Sequence, residues 1–217
     1  MSTRVLVGAV SVVAVKVVVL RVFRSWHLRW RATDAEVSAA LPGDDLLPAA
    51  DLTATRTIAI DAPAREVWPW LAQLGQGRGG LYSYDFLENA VARCDIHSVD
   101  RIVPQWQRIS PGDQIRIHPK VPLDVAIADA DRALVLHGGA PAGQPPSPYD
   151  FTWAFVLEPE PDGTTRLLMR ERYSYNSRWA PLMVEPIAAV SFVMSQKMLR
   201  GIRDRAEGRH AAIADAV

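Results

Sequence analysis

Two places in the chain hold residue types that could move protons. Glu171 stands in the late segment LLMRERYSY, and His97 follows Asp95 by two positions in the central segment RCDIHSVD. A carboxylate in an apolar chamber acquires a raised pKa or a partner, and a histidine exchanges protons near neutral pH. Glu171, His97 and a tyrosine, Tyr82 in the first instance, are therefore the candidate acid/base residues.

Each of these candidates also has a purely structural interpretation. Glu171 could form an ion pair with an arginine at a cavity mouth, or a bulge could turn it outward. Asp95 and His97 are only two positions apart in a loop, which is poor geometry for a carboxylate–histidine unit. Tyr82, Asp85 and Asn89 are close to one helix face and could serve in helix capping and surface contacts instead. The sequence leaves both interpretations open.

A glycine cluster in GQGRGGLYSYDFLEN, from Gly75 to Asn89, is close in spacing to a phosphate-binding loop. Such loops follow a strand and open a helix, so that backbone N–H groups and the helix dipole meet the phosphate. Here the glycines follow the helical pattern AREVWPWLAQLG, and no Lys-Ser or Lys-Thr comes after them. We interpret the cluster as a bend into a second short helix, LYSYDFLENAVA, although Arg78 leaves an anion site open.

Metal and cofactor chemistry have little support in the sequence. The five histidines show no HxH or HxxxH spacing, and the single cysteine, Cys94, excludes an internal disulfide and a multi-cysteine zinc site. Asp95, His97 and Asp100 could meet only by chance. The sequence predicts no metal and no cofactor. Its 24 basic and 24 acidic residues give no overall electrostatic case for nucleic acid as a partner.

Alternating patterns identify the candidate ligand-binding residues. The turn Pro161-Asp162-Gly163 joins two strands into a hairpin, in which side chains two apart share a face. Glu171 then shares an apolar face, whereas Arg166, Arg170 and Arg172 take the other, more solvent-like face. The C-terminal helical pattern adds an apolar stripe at helical spacing. The predicted ligand-binding residues are Trp68, Tyr84, Trp106, Phe151, Trp153, Phe155, Met169, Tyr173, Val190, Met194 and Met198.

The order of elements predicts an α+β domain. One strand is followed by two short helices, a run of antiparallel strands and a long C-terminal helix. Several segments within this order resemble the START/polyketide-cyclase-like superfamily (SRPBCC): IAIDAPAREVWPWLAQLG, SPGDQIRI, DGTTRLLMRERYSY and MLRGIRDRAEG. The resemblance covers about residues 53–208.

This resemblance implies a helix-grip fold, in which a curved antiparallel sheet wraps the long C-terminal helix and leaves an apolar cavity. Members of the superfamily bind lipids, sterols, polyketides or other hydrophobic molecules, and some are cyclases or dehydratases. The matching segments are structural signatures without a catalytic motif, so they imply architecture more than chemistry.

The first 31 residues lie outside that resemblance. Residues 5–23, VLVGAVSVVAVKVVVLRVF, form an apolar run of about membrane-spanning length, interrupted by Lys16. We predict an uncleaved anchor over residues 1–31 with a basic flank, and Trp26 and Trp30 at the membrane interface. An interfacial helix and a cleaved signal peptide are the alternatives. Residues 32–52 are interpreted as a linker, and residues 209–217 as a tail.

Together these patterns predict a membrane-tethered binding protein for a hydrophobic small molecule, such as a lipid or polyketide-like compound. The arginines that follow the apolar run place the C-terminal domain on the cytoplasmic side. A cyclase- or dehydratase-type enzyme and a non-catalytic regulatory scaffold are the alternative functions. The identity of the ligand and the oligomeric state do not follow from the sequence.

Overall fold

The computed structural model describes residues 3–91, 93–139 and 147–208. The predicted tail, 209–217, and most of the Pro/Gly-rich loop before the late hairpin lie outside these residues. The helices are α1 (Thr3–Leu28), α2 (Asp34–Ser38), α3 (Ala64–Ala72), α4 (Asp85–Val91) and α5 (Ala180–Ala206). The strands are β1 (Leu52–Ile60), β2 (Gln114–His118), β3 (Val121–Asp129), β4 (Ala133–Gly138), β5 (Tyr149–Pro159) and β6 (Thr165–Tyr175).

The strands form one antiparallel sheet in the order β1-β6-β5-β4-β3-β2. The first and last strands along the chain are therefore neighbours, and from β3 onward each strand pairs with the one before it. In the hairpin of β5 and β6, Trp153 lies opposite Glu171. The structure confirms the predicted α+β class, the antiparallel sheet and the long C-terminal helix.

Helix α5 packs on the inner face of the sheet. Its buried side chains recur at helical spacing and include Val184, Ala188 and Phe192. Gly201 allows close approach near the end of the helix, because an added Cβ there would lie 2.4 Å from the carbonyl oxygen of Tyr82. The main core forms between this helix, α3 and the sheet.

The second short helix is shorter than predicted. The backbone of Tyr82 has a left-handed φ of 54°, which a helix cannot accommodate, and α4 begins only at Asp85. Tyr82 therefore does not share a helix face with Asp85 and Asn89. Asp85 accepts hydrogen bonds from the backbone N–H and the hydroxyl of Ser98, so its role here is to brace the following loop.

The glycine cluster is a tight bend. The backbone N–H of Gly75 donates to the carbonyl of Gly80 at 2.9 Å, and an added Cβ on Gly80 would lie 2.6 Å from the Cα of Ser98. The guanidinium of Arg78 donates to the carbonyls of Ala72 and Trp106, at 2.8 Å each. Arg78 therefore fixes neighbouring backbone, and the bend follows helix α3 as predicted.

The predicted linker is instead an ordered strap. Residues 32–48, called here the outer strap, contain α2 and a 3₁₀ turn at Asp44–Leu46. They cover the outer face of β1 and β6, and on β6 this face was predicted to be solvent-like. The buried guanidinium of Arg170 donates to the strap carbonyls of Glu36, Val37 and Ala39 and to the carboxylate of Asp44. These long-range bonds order a segment with no sustained sequence period.

The end of α1 packs against the domain. Leu28 is buried, and the ring of Trp26 meets that of Phe192 edge-on at 4.8 Å. Arg24 forms a bidentate ion pair with Glu185 of α5. Trp30 is also buried in the main core, so its predicted place at a membrane interface is wrong.

Farther up α1, the described side chains point to solvent. They are apolar and exposed at Val15, Val18, Val19, Leu20, Val22 and Phe23. By length and composition alone, one helix among the described residues could cross a membrane, and it is α5, a third of which is buried. A core helix can meet the same criterion, and α5 packs on the sheet as a core helix does.

Candidate ligand-binding cavity

A cavity of about 570 Å³ lies between the inner face of the sheet and α5. This volume is within the range of small-molecule sites. Side chains from α4, from β2 and β3, from β5 and β6 and from α5 line it. Its apolar lining includes Leu81, Leu87, Ile117, Val121, Leu123, Phe151, Trp153, Ile187, Val190, Met194 and Met198.

The predicted ligand-binding residues fall into three groups. Six of them line the cavity: Phe151, Trp153, Tyr173, Val190, Met194 and Met198. Trp68, Phe155 and Met169 are instead buried in the main core. Phe155 and Met169 lie opposite each other toward the turn end of the hairpin, where side chains fill the core. They are on the predicted face of the sheet, but they lie too far along the strands to line the cavity. Tyr84 and Trp106 are not part of its lining.

Glu171 points into the cavity side of the sheet, as its strand parity predicts. Its carboxylate forms an ion pair with Arg56 at 3.0 Å, and both side chains are almost fully buried. The hydroxyl of Ser191 donates to the other carboxylate oxygen. The carboxylate is therefore balanced by a guanidinium and a hydroxyl.

Arg56 is the residue that the prediction missed. Besides Glu171, it donates to the carbonyl of His27 at 3.1 Å and to the hydroxyl of Ser195 at 3.2 Å. A signal for it was present in β1, where the alternation that turns Ile58 inward also turns Arg56 inward. One guanidinium thus connects α1, β1, β6 and α5.

Glu88 is a second carboxyl group in the cavity wall. The side chain is 7 % exposed, and its Oε2 has no hydrogen-bond partner among the residues that the structure describes. Burial, with the charge of Asp85, raises the pKa of Glu88 to about 7, against a smaller lowering by the Ser83 hydroxyl. A cavity carboxyl that titrates near neutrality can either donate or accept a hydrogen bond.

An aromatic wall closes one side of the cavity. The rings of Phe151 and Tyr173 lie 4.8 Å apart, and that of Tyr149 lies 5.6 Å from Tyr173. Burial raises the pKa of Tyr173 well above its usual value, so its phenol stays neutral. The indole N–H of Trp153 is also buried, and no partner for it exists within the described ranges.

The other two acid/base candidates lie outside the cavity. Tyr82 is buried against α3 and α5, where its hydroxyl accepts from the amide of Gln73 at 2.9 Å. Burial raises the pKa of Tyr82 to about 12. His97 and Asp95 do meet, at 3.3 Å, but both are exposed and neither lines the cavity. The structure does not bring Glu171, His97 and Tyr82 together in the cavity.

Asp95, His97 and Asp100 do not converge as metal ligands. In the part of the chain that the structure describes, no group of three His, Cys, Asp or Glu side chains could hold a metal ion. Asp100 pairs with Arg205 at 2.5 Å, and Asn89 bonds the backbone of Ile96. This polar region holds the loop after α4 against the domain.

No protein-family model and no curated protein matches the sequence. Among solved structures, the chain is similar to a hypothetical protein from Helicobacter pylori, with 13% identity over 78% of this chain and 96% of that one and a TM-score of 0.47. It is also similar to a protein from Mycobacterium smegmatis (18% identity, 70% and 88% covered, TM-score 0.43). A third is the Zhui aromatase/cyclase from Streptomyces sp. R1128 (14%, 73% and 94%, TM-score 0.42). These are distant similarities in backbone path, and the properties of the cavity rest on this chain alone.

Proposed function

We propose that this protein binds a hydrophobic small molecule in the cavity between the sheet and α5, and that α1 tethers it to a membrane. The observation that carries the binding proposal is the cavity itself, about 570 Å³ and walled mainly by aliphatic and aromatic side chains. An apolar molecule gains roughly 25 cal/mol for each Å² of apolar surface that it removes from water there. The resemblance to SRPBCC proteins points the same way.

The arrangement favours binding over proton-transfer catalysis. Glu171 is already paired with Arg56 and Ser191, and His97 and Tyr82 do not line the cavity. It also favours binding over a scaffold role, for which a cavity filled by side chains would be expected. A cyclase- or dehydratase-type activity would have to use Glu171 or Glu88 with the ligand in place.

The tether is proposed from the exposed side of α1. From Val15 to Phe23 its described side chains are mostly apolar and exposed, and hydrocarbon is a better environment for them than water. Arg24, Arg29 and Arg31 follow this stretch at the domain end, and Arg21 lies close to its end. By the positive-inside rule these arginines support a cytoplasmic position of the domain.

Native mass spectrometry of the full-length protein, released from a mild detergent, tests the binding proposal. The full chain is needed because Leu28 and Trp30 of the N-terminal segment are buried in the domain. We expect an added mass that organic extraction recovers as an apolar compound. A protein that arrives empty and also takes up no neutral hydrophobic dye would contradict the proposal.

A further inference from the structure

We propose that the cavity selects a neutral, oxygen-bearing apolar molecule, an alcohol or ketone rather than a carboxylate, and that Glu88 and Trp153 bind its oxygen groups. This inference rests on the proposed binding function and specifies its ligand. It depends on which polar atoms of the cavity wall already have partners and which do not.

Two polar groups of the wall are unsatisfied. Oε2 of Glu88 and Nε1 of Trp153 are buried and have no partner in the described part of the chain, and both residues line the cavity. A buried polar atom without a hydrogen bond destabilises the folded protein, so such atoms in a native wall need an explanation. A ligand that supplies the missing partners is one.

The chemistry of these two atoms defines the ligand groups. The indole N–H of Trp153 can only donate, so it requires an acceptor such as a carbonyl or hydroxyl oxygen. The carboxyl of Glu88 accepts from a hydroxyl when it is ionised and donates to an oxygen when it is protonated. A ligand hydroxyl therefore satisfies Glu88 in either state, and a ketone oxygen satisfies it only when Glu88 is protonated. A plain hydrocarbon satisfies neither Glu88 nor Trp153.

The charges around the cavity disfavour an anionic ligand. The ionisable lining residues are Glu88, Glu171 and the tyrosines Tyr149 and Tyr173, and the described lining contains no Lys, Arg or His. Arg56, which contacts the lining residues Glu171 and Ser195, already pairs with Glu171. A ligand carboxylate would meet acidic groups without a free cation.

Three probes of equal chain length, dodecan-1-ol, dodecanoate and dodecylamine, test this inference on the full-length protein. Each competes with the neutral dye N-phenyl-1-naphthylamine, in nanodiscs at fixed lipid concentration. We expect the alcohol to bind at least about tenfold more tightly than the carboxylate at pH 8. Equal affinity, or a preference for the carboxylate, overturns the inference while leaving cavity binding intact. An amine that binds more tightly than the alcohol also overturns it, since Glu88 would then be a cation site.

Variants assign the selectivity to the two residues. Trp153→Phe removes the N–H but keeps an aromatic ring, and Glu88→Leu removes the carboxyl group. Each variant should weaken alcohol binding about three- to tenfold. Glu88→Gln should bind dodecanoate more tightly than the wild type while keeping the alcohol, and this result does not depend on the leucine variant folding. Glu160→Gln, the same change in an exposed turn, is the matched control and should alter nothing. Unchanged selectivity in Glu88→Gln contradicts the role of Glu88. Failure of all three probes to displace a bound dye overturns this inference, whereas failure of the dye itself to bind contradicts the proposed function.

Discussion

Arg56 on β1 and Glu171 on β6 form a buried diagonal ion pair across two neighbouring strands, with 3.0 Å between Nη1 and Oε2. Arg56 also bonds the carbonyls of His27 and Ala188. The pair therefore lies where the sheet, α1 and α5 meet, and it fixes the inward side of the sheet close to the cavity. Because the Glu171 carboxylate already has its hydrogen-bond and charge partners within the protein, we assign Glu171 a structural role.

Removing one partner of this pair should be strongly destabilising. In Arg56→Met the carboxylate of Glu171 stays buried and keeps only the Ser191 hydroxyl, so we expect a loss of about 3–5 kcal/mol in the free energy of unfolding. The double variant Arg56→Met/Glu171→Leu should recover at least half of that loss. Urea unfolding measures both.

The exposed ion pair of Arg65 and Glu66 provides the control for that experiment, because its side chains are more than half in solvent. Arg65→Gln should change the unfolding free energy by less than about 0.5 kcal/mol. A similarly small effect of Arg56→Met would show that the buried pair does not hold the fold together.

Glu88 predicts a specific dependence of stability on pH. Its folded pKa of about 7 lies above its usual 4.5, so the folded protein holds this proton more tightly than the unfolded chain. The resulting stabilisation is complete below about pH 4.5 and is lost as pH rises through 7. Glu88→Gln escapes this loss, so its melting temperature relative to the wild type should rise by about 3 °C or more between pH 5 and pH 8.5. A difference that stays constant, or that falls with pH, would contradict the assignment.

Arg170 should be essential for the outer strap. Arg170→Ala removes all its bonds to the strap carbonyls and to Asp44, and we expect a loss of at least about 3 kcal/mol. Hydrogen exchange should accelerate in residues 34–46 before it accelerates elsewhere. Arg132→Ala, at an exposed turn, is the control. Unchanged exchange in the strap would mean that other contacts order it.

Filling the cavity should block binding without unfolding the protein. Met194→Trp adds bulk to the α5 wall, so uptake of N-phenyl-1-naphthylamine should fall at least about tenfold while the melting temperature changes little. Val193→Trp makes the same change one position away, on an exposed face outside the lining. If both variants lose binding, or neither does, the dye is bound elsewhere.

The anchor proposal is tested by fractionation. The full-length protein should sediment with membranes and resist extraction by alkaline carbonate. Serine at the exposed valines of α1, Val15, Val18, Val19 and Val22, should release it, because these side chains are the apolar surface offered to lipid. Leu182→Ser removes an exposed apolar residue of α5 and should leave fractionation unchanged. A wild-type protein that stays in the supernatant would refute the tether.

Strand parity was the most reliable guide in the sequence. It placed Phe151, Trp153 and Glu171 on the inner face, because successive side chains of a strand must alternate. Applied to β1, the same rule would also have turned Arg56 inward, but the prediction missed this residue. Its partner could not have been identified in any case, since 115 positions separate it from Glu171. Parity does not show how far along a strand the cavity extends. Phe155 was therefore assigned to the cavity, although it lies in the filled main core.

Features that depend on contacts between distant segments could not be predicted. The outer strap has the composition of a linker, and its order comes from Arg170, a residue of β6 that parity had placed toward solvent. Glu88 has no local signal for burial, because its surroundings are assembled from α4, α5 and the sheet.

The docking of α1 onto the domain also determines how far the domain could travel. Between His27 and Leu52 several backbone carbonyls accept hydrogen bonds from domain arginines, namely Arg56, Arg166, Arg170 and Arg172. This part of the chain is therefore not a flexible linker between α1 and the domain. With α1 in a bilayer, the domain would be held at a fixed height above the membrane surface and at a fixed orientation to it. The domain would exchange its ligand only with the adjacent leaflet or with a partner that comes to it. It could not move away from the membrane to bind the ligand elsewhere.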